Sequence, residues 1–395
     1  MNRILIIIIC MLPMILTSCY DKEEIDSITY VIALGLDEGE SDKLKITMQY
    51  FTMNEKSGGE SANEETASIT LEASSIMEGI NLINNSVDKK LSFSHTKLIV
   101  MSEKLAKKGN LIGILKPLQN SKEFRPNVYV AVSKGEANKY LKAIEQLKKS
   151  NIARYYKSIF SSYEYSGYYF ISPKDDFYYK MCDKFVGAVV PYVAVNESKD
   201  NDKSGKLLAG EMKEEGRESK VQIMGVVVFN KDKMVSVLTG EEAMHFLMTI
   251  GEFKRAIYTV EDPLSKDDMI SVSLKLYSRP KIKVVTKEGG PYVYIDIKLN
   301  GEYLYFESDV NYNDKGKNAV LVNHIEKKIE AKTKKLLEKT AREFESDICL
   351  FAKNARKNFW TWQEWEKYDW SKKYRDAKFN IKVDMNIKMT GMIKQ

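Results

Sequence analysis

Thirteen mostly apolar residues, Ile4–Leu16, stand behind the basic head Met1-Asn2-Arg3, and the longest later apolar runs are short ones such as Ile223–Phe229. A helix of that length covers about 20 Å at 1.5 Å per residue, while a hydrocarbon core is ~30 Å thick. Such a run suits the apolar region of an export leader better than a stable membrane span. Pro13 within it also opposes one long helix.

The run closes on Leu16-Thr17-Ser18-Cys19 and turns at once to the charged Asp21-Lys22-Glu23-Glu24. A leucine, two small residues and a cysteine have the shape of a bacterial lipobox. Small residues at 17 and 18 let a peptidase approach the backbone. The Cys19 thiol then carries a diacylglyceryl group, and its freed amine becomes the mature N-terminus. Each buried CH₂ contributes about 0.8 kcal/mol, and a single acyl chain anchors only marginally, so the expected anchor needs more than one fatty chain such as palmitate. Residues 1–18 are read as a lipoprotein signal peptide and Cys19 as the lipidation site.

The remaining chain is a body outside the bilayer. Removing residues 1–18 takes away one arginine, leaving 60 basic against 55 acidic residues, a net of +5. That near-balance gives no reason to expect nucleic-acid binding. Beyond Cys10 and Cys19 the only cysteines are Cys182 and Cys349. They are too few for a disulfide framework and are read as two buried thiols.

Strand and helix signals alternate along the body, which points to an α+β fold. Ile28–Leu36 and Leu44–Met53 read as a hairpin, and Ile76, Ile80, Ile83 and Val87 form a helical stripe within Ser74–Val87. Strands are expected at Lys97–Met101, Val128–Val132 and Val186–Val195, with helices near Lys104–Gly109 and Gly135–Lys149. Glu55–Glu65 and Asn196–Ser219 read as polar loops. Gln222–Phe229 and Met234–Leu238 read as a second hairpin, followed by a helix from Thr239 with Glu241 and Glu242 in its first turn.

Asp262-Pro263-Leu264-Ser265 is the expected boundary of a C-terminal unit. Beyond it come strands at 269–277, 281–286, 292–299 and 302–308, then a long amphipathic helix over Ala319–Ala352. Strict alternation from Phe379 to Thr390 requires a half-buried closing strand. The expected architecture is therefore three mixed α/β domains with antiparallel or mixed sheets, at 19–183, 184–264 and 265–395.

Chemistry-bearing patterns are sparse. His95, His245 and His324 stand far apart, without the close pairing of zinc ligands, and read as surface or hydrogen-bonding residues. Ser204-Gly205-Lys206 lacks the earlier glycine of a P-loop. Asp309, Asn311 and Asn313 imitate a calcium loop, but Asp314 and Val320 stand where that loop needs Gly and Glu, so a turn suffices. No metal, cofactor or catalytic residue is expected.

All four tryptophans fall in Phe359–Trp370 (FWTWQEWEKYDW). They read as anchors clamping the long helix to the C-terminal sheet, with a membrane or partner belt as the other reading. The helix's lysines, Lys327, Lys328, Lys332, Lys334, Lys335 and Lys339, interleave with Glu326, Glu330, Glu338 and Glu343 and read as a solvated face.

These landmarks together resemble the Ger(x)C family, the lipoprotein subunits of spore nutrient-germinant receptors. The resemblance rests on Ser18–Ile25, Ala33-Leu34-Gly35-Leu36-Asp37, Phe93–Gly109, Phe124–Ala137, Gly225–Ala243 and the Trp-rich stretch leading to Met389-Thr390-Gly391. Tyr20 and Ser18 depart from the tryptophan and glycine usual there. The resemblance implies a non-enzymatic subunit on the outer face of the spore inner membrane. It would be held by diacylglyceryl-Cys19 and partnered by two polytopic membrane subunits during spore germination. The other function considered is a solute-binding lipoprotein, with Tyr155, Tyr156, Tyr163 and Tyr165 lining a cleft.

Overall fold

The computed structural model describes residues 27–41, 43–53, 64–147, 151–196, 208–212 and 221–388. Cys19, Ser204-Gly205-Lys206 and Met389-Thr390-Gly391 lie outside them.

Ten strands make one mixed sheet: β1 (Ile28–Glu38), β2 (Leu44–Met53), β3 (Glu64–Ala73), β4 (Lys90–Ser92), β5 (Leu98–Ser102), β6 (Tyr129–Ser133), β7 (Ser172–Pro173), β8 (Val189–Val195), β9 (Val221–Asn230) and β10 (Lys233–Leu238). Their order is β10-β9-β8-β6-β5-β1-β2-β3, with β4 on β1 and β7 on β6. The centre, β1, β5, β6 and β8, is parallel, and antiparallel pairs flank it on both sides.

The sequence dictates the cover this sheet needs. Leu98–Ser102 is buried at every residue, so helices must lie on both faces. Helices Ile76–Asn84, Leu111–Asn120 and Lys174–Cys182 take one face, and Ala137–Glu145 with Ile152–Ser161 takes the other.

A second sheet holds β11 (Ala256–Glu261), β12 (Met269–Leu276), β13 (Lys281–Val285), β14 (Tyr292–Phe306) and β15 (Lys378–Lys388). Its strands alternate buried and exposed residues, as a sheet with one wet face must. The long helix covers the dry face with Leu321, Ile325, Ile329, Leu336 and Leu337. The strands of 184–264 serve both sheets: β8–β10 extend the first, and β11 edges the second.

Several expectations change in detail. The strands expected at 292–299 and 302–308 are the single β14. Gly301 does not turn the chain; it pairs with Leu274 and Ile387, and a Cβ there would stand 2.9 Å from Ile387 Cγ1. The long helix runs Lys315–Arg342 and stops ten residues before the expected end. Phe344 and Ile348 stay buried, but from a loop whose Glu345 and Leu350 adopt positive φ. The carbonyls of Phe344 and Glu345 accept from Asn230 Nδ2 of the first sheet, an alternative to continuing the helix. Strand β3 went unread, although Ile69 and Leu71 alternate with Ser68, Thr70 and Glu72.

Edge strand β15 is capped by side chains. Val383 N–H donates to Glu330 Oε1 at 3.0 Å, and Met385 N–H donates to Glu326 Oε1 at 2.7 Å. Two lysine-face glutamates thus blunt an edge that would otherwise offer free amides. The double substitution E326A/E330A is expected to lower stability by about 1–2 kcal/mol and to speed amide exchange at Val383 and Met385. Hydrogen-exchange mass spectrometry reads this directly; unchanged exchange at those amides would refute the capping role.

Candidate functional site

The motif pieces quoted above are brought together mainly as structure. Asp37 of β1 is buried and accepts from the Ala137 and Asn138 N–H groups at 2.7 and 3.0 Å. Its carboxylate therefore caps the helix Ala137–Glu145 across a long sequence separation. Burial raises its pKa, against those hydrogen bonds. Phe93 and Phe124, from two other pieces, stack with centroids 4.7 Å apart.

A polar cleft lies where the two sheets meet. Its volume is about 380 Å³, and it is lined by residues of 183–186, 230–231, 345–347 and 369–375. One backbone hydrogen bond and two from serine hydroxyls to carbonyls pin its walls together. Gly187 N–H donates to Asp347 O at 3.0 Å, Ser346 Oγ donates to Phe229 O at 2.7 Å, and Ser371 Oγ donates to Lys184 O at 2.8 Å.

Asp347 is the centre of this joint. Its carboxylate accepts from Phe351 N–H at 3.0 Å, Ala352 N–H at 2.7 Å and Trp370 Nε1–H at 3.2 Å. It caps the short helix Phe351–Ala355 and fixes Trp370 in the core at once. Burial pushes its pKa up to about 7, although all three donors favour the charged form. The cleft's lining mixes Lys184, Lys231 and Arg375 with Asp183, Glu345 and Asp369, which suits a joint between layers more than a pocket for one class of ion.

Gly187 permits the close approach. A Cβ there would stand 1.9 Å from Ser346 Oγ and 3.0 Å from Phe229 O. Gly187→Val is expected to destabilise the protein by about 2–3 kcal/mol through this overlap. Denaturant titration checks it; an unchanged midpoint would show that the joint is looser than these contacts require.

The tryptophans divide. Trp365 and Trp370 are fully buried and stack at 5.8 Å, and Trp370 packs at a tilt on Tyr374 at 5.6 Å. Tyr374 Oη meets Thr340 Oγ1 of the long helix at 2.8 Å, so this pair forms the expected clamp. Trp360 is 97% exposed and Trp362 51% exposed, so neither fits that role.

The other candidates disperse. His245 is buried, its Nδ1 lies 3.0 Å from Thr333 Oγ1, and burial pushes its pKa down to about 3, so it stays neutral. His95 packs on Tyr30 and lies 3.1 Å from Ser94 Oγ. Among the described residues, no three or more His, Cys, Asp or Glu side chains gather as a metal cluster. Asn311 closes a local turn onto Asn313 N–H, and Asp314 caps the long helix. Tyr156 is buried and donates to Gln49 Oε1 at 2.7 Å, whereas Tyr165 is 75% exposed. Of the two thiols expected to be buried, only Cys349 is; Cys182 is exposed, and both are free. Asp347 and Gly187 went unread in the sequence, since both sit beside residues that carry ordinary helix or strand signals.

Two family models match the chain: "Spore germination protein N-terminal domain" over residues 21–195, and "Spore germination B3/ GerAC like, C-terminal" over residues 224–391. The chain belongs to the Ger(x)C family of spore germination proteins. Its relatives include spore germination protein KC of Bacillus subtilis (strain 168), 20% identical over 98% of this chain and 96% of the relative. Spore germination protein B3 of the same organism is 20% identical over 96% of this chain and 95% of its own length. The crystal structure of the GerBC protein superposes with a TM-score of 0.55 at 18% identity, covering 90% of this chain and 96% of that one. The multi-domain α+β fold of this Ger(x)C protein is thus shared with a solved structure.

Proposed function

We propose that this chain is a lipid-anchored, non-enzymatic subunit of a spore nutrient-germinant receptor. It acts from the outer face of the spore inner membrane, with two polytopic membrane subunits as partners. Its role is to assemble the receptor or pass its signal during germination. The observation that carries the reading is the position of Cys19. The family match begins at residue 21, immediately after the lipobox-like seam. What precedes that seam has the length and polarity of an export leader.

Among the described residues no helix is long and apolar enough to cross a membrane, which is compatible with an anchor supplied by acyl chains. Within the body, we read 184–264 as the segment that couples the two sheets, since its strands belong to both. The pinned joint at Asp347 would carry a displacement of one sheet to the other.

Mass spectrometry of the mature amino terminus tests the anchor. The expected species begins at Cys19 and carries a diacylglyceryl thioether. A free thiol there, or an uncut leader, would sink the reading.

A further inference from the structure

Trp360 is the most exposed large apolar side chain among the described residues, at 97%. It is held out by a rigid turn. Its N–H donates to Glu364 Oε2 at 3.1 Å, Thr361 and Glu364 form a capping box, and Arg356 donates to Phe359 O at 2.7 Å. An indole pinned in water by its backbone gains nothing from the fold itself.

Its surroundings carry a small cationic excess, with Lys353, Arg356, Lys357 and Lys367 against Glu364, Glu366 and Asp369. Lys353, Lys357 and Lys367 are exposed nearby in the chain, and the Arg356 guanidinium lies 5.7 Å from the Trp362 ring centre. Trp362 packs edge-on against Phe185 at 5.9 Å, beside Lys184, whose Nζ pairs with Glu366 at 3.8 Å across the exposed surface. Glu364 is the nearest acidic side chain in sequence, and its carboxylate is engaged by the helix it caps. Tryptophan seats at the headgroup level of bilayers, and nearby lysine and arginine are each worth about 1 kcal/mol against an anionic leaflet.

Topology puts this projection on the side where the tether leaves. Strands β1, β5, β6 and β8 are parallel, so their starts share one end of the first sheet. Ser27 precedes β1 and Phe185 precedes β8, three strands away, a lateral distance of about 14 Å. The seven residues between Cys19 and Ser27 reach at most ~25 Å. A chain anchored at Cys19 therefore carries this end of the sheet within reach of the headgroups.

We infer that Trp360 and Trp362, with their flanking lysines and arginine, make a second, non-covalent contact with an anionic lipid surface and orient the body on it. The orientation rests on the lipid-anchor reading, but the contact is measured separately.

The complete chain is mixed with vesicles of phosphatidylglycerol and phosphatidylcholine whose acyl chains carry bromine, and tryptophan fluorescence is recorded. Bromine quenches an indole only at close range, and Trp365 and Trp370 are shielded in the core. The expected result is quenching that falls at least twofold in Trp360→Ala and in vesicles of phosphatidylcholine alone. Trp360→Ala removes a side chain with almost no packing, so its melting temperature should match the parent. Undiminished fluorescence in anionic vesicles, or quenching unaltered by Trp360→Ala, overturns the contact even if the chain floats with the vesicles. Shielding of Trp360 from acrylamide only when a membrane-protein partner is bound assigns the projection to a protein face and also overturns it. Quenching that persists in a chain with an unmodified Cys19 upholds the contact independently of the anchor, which the mass of the mature amino terminus tests separately.

Discussion

Cys19→Ala is expected to move the protein from the membrane fraction to the soluble fraction and to impair germination in response to nutrients. Two acyl chains of ordinary length bury many CH₂ groups at about 0.8 kcal/mol each, far more than any surface contact of this body supplies. The second contact at Trp360 adds only what one indole and a few cations provide, a few kcal/mol at most. Losing the thioether therefore removes most of the attachment to the bilayer. The uncut leader does not replace it, because Ile4–Leu16 would cover only about 20 Å as a helix. Fractionation of spores and a nutrient-response assay read the two consequences separately. Full membrane retention with normal germination is the result that this account does not survive.

The second large effect belongs to Asp347. Asp347→Ala leaves three buried donors, Phe351 N–H, Ala352 N–H and Trp370 Nε1–H, without their acceptor. Each such loss costs about 1–3 kcal/mol, so a total of at least about 3 kcal/mol is expected, enough to unfold a marginal domain. The pH dependence is more specific. Burial holds the folded carboxyl near pKa 7, above its ordinary 3.8, so the folded state keeps a proton that the unfolded chain releases. This contribution is fully present below pH 4 and is lost as pH rises to 7, by at most about 1.4 kcal/mol per unit. Above pH 7 it is flat. Asp347→Asn cannot ionise, so the stability difference between the two proteins should vary across pH 4–7 and level off beyond. Chemical denaturation at several pH values measures it. A difference that is constant over pH 4–7 would remove Asp347 from the account of pH sensitivity.

Local periodicity carried much of this fold. The alternation of Phe379, Ile381, Val383 and Met385 requires a half-buried strand, and β15 is that strand. The stripe of Ile325, Ile329 and Leu336 requires an amphipathic helix, and all three pack on the second sheet. The reading of Ile4–Leu16 as a leader and of Cys19 as the lipid site rests on neighbours in sequence alone. The family, too, was readable from short pieces kept in order.

Tertiary structure alone decided the rest. Just past the end of the long helix the chain is held by Asn230, over a hundred residues away, whose amide donates to the carbonyls of Phe344 and Glu345. The tryptophans look alike in sequence, yet two are core and two face water, because helix phase and the position of Phe185 sort them. Asp347 becomes a buried titrating group only when the two sheets close over it, bringing Gly187 and Trp370 to its side. Periodicity records which face of an element is dry; it holds no record of which distant element will dry it.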